Sequence, residues 1–255
     1  MSALTISLVV CAILLAGASA GALLRTLLAD AHLNDHAKDI VRLGSALIAT
    51  ISALVLGLLI TSAKNTYDTQ RNEVRQITAK FILLDNQLDR YGPEARDSRE
   101  VLRQSIGPII DRIWGQRAVK SLAGAPYQPS REGSLLYSSI EKLSPQNEVQ
   151  RALRLQALLT ITNITESRVL LFEQSDGGLP MPFLAVLVFW LTFLFASFTL
   201  FSPVNPVGGI ALLIIALSAS GAIYLILELN TPFSGLMKIS SEPLRHALGL
   251  LESNQ

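Results

Sequence analysis

Cysteine, histidine and tryptophan are scarce in this chain, and charge of neither sign dominates it. The 255 residues include 1 Cys, 3 His and 2 Trp, with a formal net charge of +1 at pH 7. The lone Cys11 lies inside an apolar run, so neither an internal disulfide nor a thiolate metal cluster is available. A near-neutral balance removes the case for nucleic acid, which requires a surplus of Lys and Arg against phosphate. No glycine-rich phosphate loop, His-Glu-x-x-His, Cys-x-x-Cys or workable Ser/His/Asp set is present. The expectation is no catalytic residue, no metal site and no cofactor, and hence not an enzyme.

What the chain has in excess is apolar sequence. Half of it is hydrophobic and 16% charged, too apolar for an ordinary soluble domain and too charged for a bare membrane bundle. Apolar runs occupy 4–28, 43–62, 183–203 and 207–229. Each is long enough for a helix across a hydrocarbon core about 30 Å thick, where no backbone polar group can stay unpaired. The spacing predicts an all-α membrane protein of four transmembrane helices, two plus two, with a helical-bundle insert between the second and third. The boundaries are spans one and two in 1–62, the insert in 63–178, a hairpin of spans three and four in 179–229, and a tail in 230–255.

Ala18-Ser19-Ala20 before Gly21 fits a signal-peptidase site. The absence of Lys and Arg in the first five residues, and the run's continuation to Leu28, favour a retained helix over a cleaved signal. Lys64, Arg71, Arg75, Lys80, Arg168, Lys238 and Arg245 flank one side of the spans, whereas the other offers Lys38 and Arg42. That asymmetry puts the termini and the insert in the cytoplasm.

Within span one, Gly17 to Gly21 forms a small-residue surface suited to close helix packing. Span two carries a stripe of small or weakly polar residues, Ala46, Thr50, Ala53, Gly57 and Thr61, which either packs helices or faces a narrow pore; packing is favoured. In the first loop His32 and His36 share a helix face with Asp39 within reach, although solvated loop residues are the commoner outcome.

No Pro or Gly interrupts the passage from span two to residue 91, so one helix is expected to leave the bilayer. Val74, Ile77, Phe81, Leu84, Leu88 and Tyr91 step 3, 4, 3, 4, 3, a seam of bundle or coiled-coil type. Gly92-Pro93 ends it. A second helix follows with a kink expected at Gly107-Pro108, then a loop from Gly124 to Gly133. A long helix is expected from Pro145 to Gln174, capped by Ser144, with a broad apolar face that includes Val149, Leu155, Leu159 and Ile161. The insert holds 16 Lys and Arg against 14 Asp and Glu, which reads as a balanced, solvated bundle. Glu228 closes span four at the membrane edge. With Asn230 it is a candidate for touching ions, although interfacial water is the commoner environment for such an acid.

The layout of two spans, a cytoplasmic insert, two spans and a tail resembles the bestrophin family of pentameric ion channels, and more closely the bacterial bestrophin-like family. Asn230-Thr231-Pro232-Phe233-Ser234-Gly235, with Pro243 and Leu244 downstream, is similar to the family's Asn-Pro-Phe-Gly segment and later Pro-Leu. Leu54-Val55-Leu56-Gly57-Leu58 resembles the Phe-Val-Leu-Gly-Phe of span two, whose Phe positions form the hydrophobic neck. By that resemblance Leu54 and Leu58 stand at the constriction, with Thr50 one turn earlier. Leucine replaces phenylalanine here. The acidic cluster that binds calcium in animal bestrophins has no counterpart after Gly235.

The resemblance implies a homo-oligomeric, pentameric ion channel in the bacterial inner membrane. Its partners would be the lipid bilayer, copies of itself and small inorganic ions. The alternative is a non-conducting scaffold or signalling protein whose insert binds partners, with the Val74 to Leu88 seam as an inter-subunit coiled coil.

Overall fold

The computed structural model describes residues 2–28, 35–114, 131–176, 181–201 and 205–253, and among them there are eight α-helices and no strand. They are α1 (Ala3–Leu27), α2 (Asp35–Tyr91), α3 (Arg96–Trp114), α4 (Arg131–Glu141), α5 (Glu148–Asp176), α6 (Met181–Phe201), α7 (Pro206–Leu229) and α8 (Glu242–Ser253). The side chains of His32 and His36, and most of the expected Gly124 to Gly133 loop, lie outside the described residues.

Four helices, α1, α2, α6 and α7, are long and apolar enough to cross a membrane. The chain divides into two compact units. One comprises Met1–Asn65 with Leu179–Asn230, the other Thr66–Gly178 with Thr231–Gln255.

In the first, apolar unit, α1 packs against α6 and α7. Its core gathers Leu14, Leu59, Leu187, Phe195, Ala216, Ile223 and Ile226. The small-residue surface of α1 makes the close approach. A Cβ on Gly17 would meet the carbonyl oxygen of Thr192 at 3.0 Å, and one on Gly21 would collide with the Ala196 carbonyl and the Thr199 hydroxyl. That hydroxyl donates to the Ala18 carbonyl oxygen at 2.7 Å, joining two helices where lipid supplies no alternative partner. Asn205 starts α7, its Oδ1 accepting from the Gly208 N–H at 2.7 Å, with Pro206 at the first helical position.

In the second, more polar unit, the seam on α2 is buried along its whole length with Leu102, Ile106, Leu136, Ile140, Ala157, Ile161 and Ile164. These partners belong to α3, α4 and α5 of the same chain. The seam is therefore not an inter-subunit coiled coil, because intrachain helices cover it first.

Two helix starts differ from expectation. Helix α5 begins at Glu148 rather than Pro145, since Asn147 takes the capping role, its Oδ1 accepting from the Gln150 N–H at 2.8 Å. Helix α4 begins at Arg131, inside the expected loop. Pro108 lies within α3, which continues to Trp114 without a break. As expected, α2 runs unbroken to Tyr91, where Gly92 at φ 117° ends it, a conformation open to glycine.

Candidate functional site

The candidate site is a face of α2. Within the apolar unit, Ser45, Ser52, Leu59 and Ala63 are buried. Their steps of 7, 7 and 4 hold them on one side of an α-helix. Leu54 is nine residues from both Ser45 and Ala63, about two and a half turns, which puts it on the opposite side.

There Leu54 is 66% exposed and Leu58 70% exposed, and Thr50 is exposed one turn earlier. No described helix of the apolar unit covers these three. They share a face at 4-residue spacing, so the structure brings them onto one open surface.

The small-residue stripe borders this surface. Ala46, Ala53, Gly57 and Thr61 are exposed, and a Cβ at Gly57 would meet nothing within 4 Å. Close packing inside the chain uses Gly17 and Gly21 of α1 instead. The hydroxyls on the α2 surface are already engaged, Thr50 donating to the Ala46 carbonyl and Thr61 to the Gly57 carbonyl, each at 2.9 Å. What they present outward is a methyl group and an acceptor oxygen, beside leucine side chains. Such a surface has no charge to hold an ion and no free donor to replace its hydration shell.

Glu228 departs from its expected place in interfacial water. It is 4% exposed, in the last turn of α7. Hydrophobicity plots find an acid at a span's end but not the direction it faces. Asn230 caps α7, its N–H donating to the Ile226 carbonyl oxygen at 3.2 Å.

The tail residues hold the tail to the polar unit. Pro232 and Leu244 are buried, and Phe233 meets Trp114 edge to face with ring centroids 5.8 Å apart. The Trp114 indole N–H donates to the Ile239 carbonyl at 2.7 Å, and the Ile239 N–H to the Pro232 carbonyl at 2.7 Å. Gly235 adopts φ 85°, which permits the turn between them. Pro243, in the first turn of α8, is exposed.

Sequence reading missed the strongest polar contact of this unit. Arg99 of α3 binds Asp85 and Asp89 of α2, with Nη1 to Asp89 Oδ1 at 2.6 Å. The hydrogen bond to Asp85 comes first in raising the guanidinium pKa above its ordinary value, against the opposing effect of burial. Spacings of 14 and 10 residues across a helix break carry no local signal.

Membrane-length helices arranged in this way define an all-helical class, and several solved structures share the fold. A membrane protein variant superposes with a TM-score of 0.65 at 14% identity, covering 96% of each chain. A mutated bacterial bestrophin homologue from Klebsiella pneumoniae gives 0.62 at 15% identity, over 96% of this chain and 97% of that one. The same organism's homologue solved by Zn-SAD phasing gives 0.62 at 15%, over 95% of each. No curated protein matches the chain. The family model described as a bestrophin-like domain matches residues 11–244, so the chain belongs to the bestrophin-like family.

Proposed function

We propose that this chain is the subunit of a homo-oligomeric, pentameric ion channel whose neck is formed by Thr50, Leu54 and Leu58. Members of the bestrophin-like family are ion channels. The observation that carries the reading is the division of α2 into two faces. One is packed into its own bundle, and the opposite one holds Leu54 and Leu58 uncovered. One copy of four apolar helices cannot enclose a path, so the open faces would meet around a common axis. The neck would conduct when it widens or when ions pass hydrated, since it offers no charge and, beyond the Thr50 hydroxyl oxygen, no group to bind them.

In this reading the four apolar helices lie in the bacterial inner membrane, two plus two, with residues 63–178 and 230–255 and both termini in the cytoplasm. The insert would extend a vestibule below the neck. The boundaries of the units, Asn65 and Asn230, fall at the ends of apolar runs, which supports this layout. Lipid surrounds the ring and small inorganic ions are the cargo.

Purified protein reconstituted in liposomes tests the proposal, with ions swapped one at a time and subunit number measured by light scattering. Leu54→Ala and Leu58→Ala should each increase ion leak. A monomer, or an oligomer silent to every small ion across voltage and pH, overturns it.

A further inference from the structure

The tail presents two apolar side chains at the tip of a turn that its own packing holds in place. The Ile239 N–H donates to the Pro232 carbonyl oxygen at 2.7 Å, which closes the loop 233–238 at its base. Both base residues are buried, and Trp114 holds this base through the Ile239 carbonyl and the Phe233 ring. At the tip Gly235, Leu236, Met237 and Lys238 are all exposed, Leu236 at 82% and Met237 at 39%. Leu236 is more open than either neck leucine, on a segment fastened at both ends. We infer that this turn is a membrane-surface anchor: Leu236 and Met237 enter the boundary between lipid headgroups and acyl chains, and Lys238 pairs with lipid phosphate. The anchor depends on the apolar helices lying in a bilayer, as proposed for the channel, and adds a lipid contact outside them.

Position in the fold is the first reason. Pro232 is the third residue after Leu229, the last of α7, so the base of the loop lies within about 11 Å of the end of that helix at about 3.6 Å per residue. Within the polar unit, Arg99 bonds Asp85 and Asp89 near the end of α2, and Leu102, Ile106 and Ile109 then pack back along the α2 seam. The two helices are therefore antiparallel. At about 1.5 Å per residue along both, Trp114 returns to about the level of residues 70–74 of α2. That is the end of the polar unit at which α2 passes into the apolar one, at Asn65. The turn that Trp114 holds stands at this end.

Charge and size are the second reason. Lys238 directly follows the two apolar side chains, and Arg71 and Arg75, near the level of Trp114, are exposed on α2. Against them, α3 exposes one acid in its last turn, Asp111. An apolar tip beside cations suits the edge of a bilayer, where acyl chains take the apolar groups and each Lys or Arg near anionic headgroups adds attraction. A standard protein interface covers about 800 Å² on each partner. Three side chains on a protruding turn fall far short of that, whereas insertion into a bilayer edge needs no more.

The test uses the full chain with Cys11→Ala, one introduced cysteine labelled with nitrobenzoxadiazole, and vesicles containing spin-labelled lipid. A label at Leu236→Cys should lose about half its fluorescence to a lipid spin-labelled near the headgroup, and one at Lys142→Cys, exposed between α4 and α5, should lose none. Adding phosphatidylglycerol to phosphatidylcholine should deepen the quenching at 236, and Lys238→Glu should remove that increase. A quench indifferent to both changes overturns the phosphate contact. A label at Leu217→Cys, exposed on α7, reports the bilayer placement by itself through a lipid spin-labelled deep in the acyl chain. Quenching at 217 with none at 236 overturns the anchor and leaves the channel reading standing. A blue-shifted but unquenched label at 236 also overturns it, in favour of a second copy covering the turn. No quenching at 217 overturns both.

Discussion

Arg99 grips Asp85 through two parallel hydrogen bonds, Nε to Oδ1 at 2.8 Å and Nη2 to Oδ2 at 2.9 Å. The carboxylate is almost fully buried, its side chain 3% exposed. This two-pronged contact joins α2 to α3 across the turn at Gly92. Arg99→Ala leaves Asp85 buried without its cation and should cost roughly 3–5 kcal/mol. Arg99→Lys keeps the charge but loses the fork and should fall between. Denaturant unfolding followed by circular dichroism in detergent measures both, and a loss below 1 kcal/mol for the alanine variant would contradict the assignment.

Tyr91 is buried at the end of α2 with a hydroxyl that has no hydrogen-bond partner among the described residues. Burial, and then the Glu94 carboxylate, raise its pKa above the ordinary value of 10.0, while Arg154 opposes them. The neutral phenol is the native form, so its contribution is full below pH 10 and is lost as pH rises through the raised folded value. Tyr91→Phe should change stability at pH 7 by less than about 1 kcal/mol. It should also flatten the alkaline loss in a stability profile taken above pH 10. An unchanged alkaline slope would count against Tyr91 as its source.

Gly21 faces a main-chain carbonyl and a hydroxyl with no room for a methyl group. Gly21→Ala should force α1 and α6 apart and destabilise the apolar unit by about 1–3 kcal/mol. Gly57→Ala, with open space around it, should leave stability unchanged. Thermal melts of the two variants in one detergent make the comparison.

Leu14 and Leu54 are both leucines on apolar helices, yet Leu14 is fully buried and Leu54 is mostly exposed. Leu14→Ala should cost about 2–5 kcal/mol through an unfilled cavity. Leu54→Ala should leave the isolated subunit's stability nearly unchanged and act on conductance instead. Equal melting shifts for the two would place Leu54 in packing rather than in a neck.

Trp114 fastens the tail through its indole N–H and through the Phe233 ring. Trp114→Phe keeps a ring but loses the donor to the Ile239 carbonyl, and should cost about 1–3 kcal/mol. Limited proteolysis should then cut more readily between residues 231 and 248. An unaltered digestion pattern would show that the tail is held by Leu244 and Ala247 alone.

Much of the fold was legible in the sequence because it depends on local periodicity. Helices α1, α2, α6 and α7 follow from run length, and the 3, 4 stepping from Val74 to Tyr91 marks the face that is buried. The end of α2 at Gly92 follows from backbone freedom at one residue. The error of a few residues at the start of α5 arose where two capping groups competed, Asn147 prevailing over Ser144, whereas α4 was not anticipated.

The candidate site was legible only as a line of side chains. Thr50, Leu54 and Leu58 share a face by spacing alone, but spacing does not say whether that face is covered. The same limit applies to Glu228 and to the Val74 seam. Hydrophobic periodicity is a property of neighbours along one helix. Coverage depends on which distant segments come to lie beside it, and Arg99 reaching Asp85, or Thr199 reaching Ala18, leaves no trace in local sequence. The sequence by itself determined the helices and their stripes; tertiary packing decided which stripes are closed within the chain and which remain open, because burial is a long-range property.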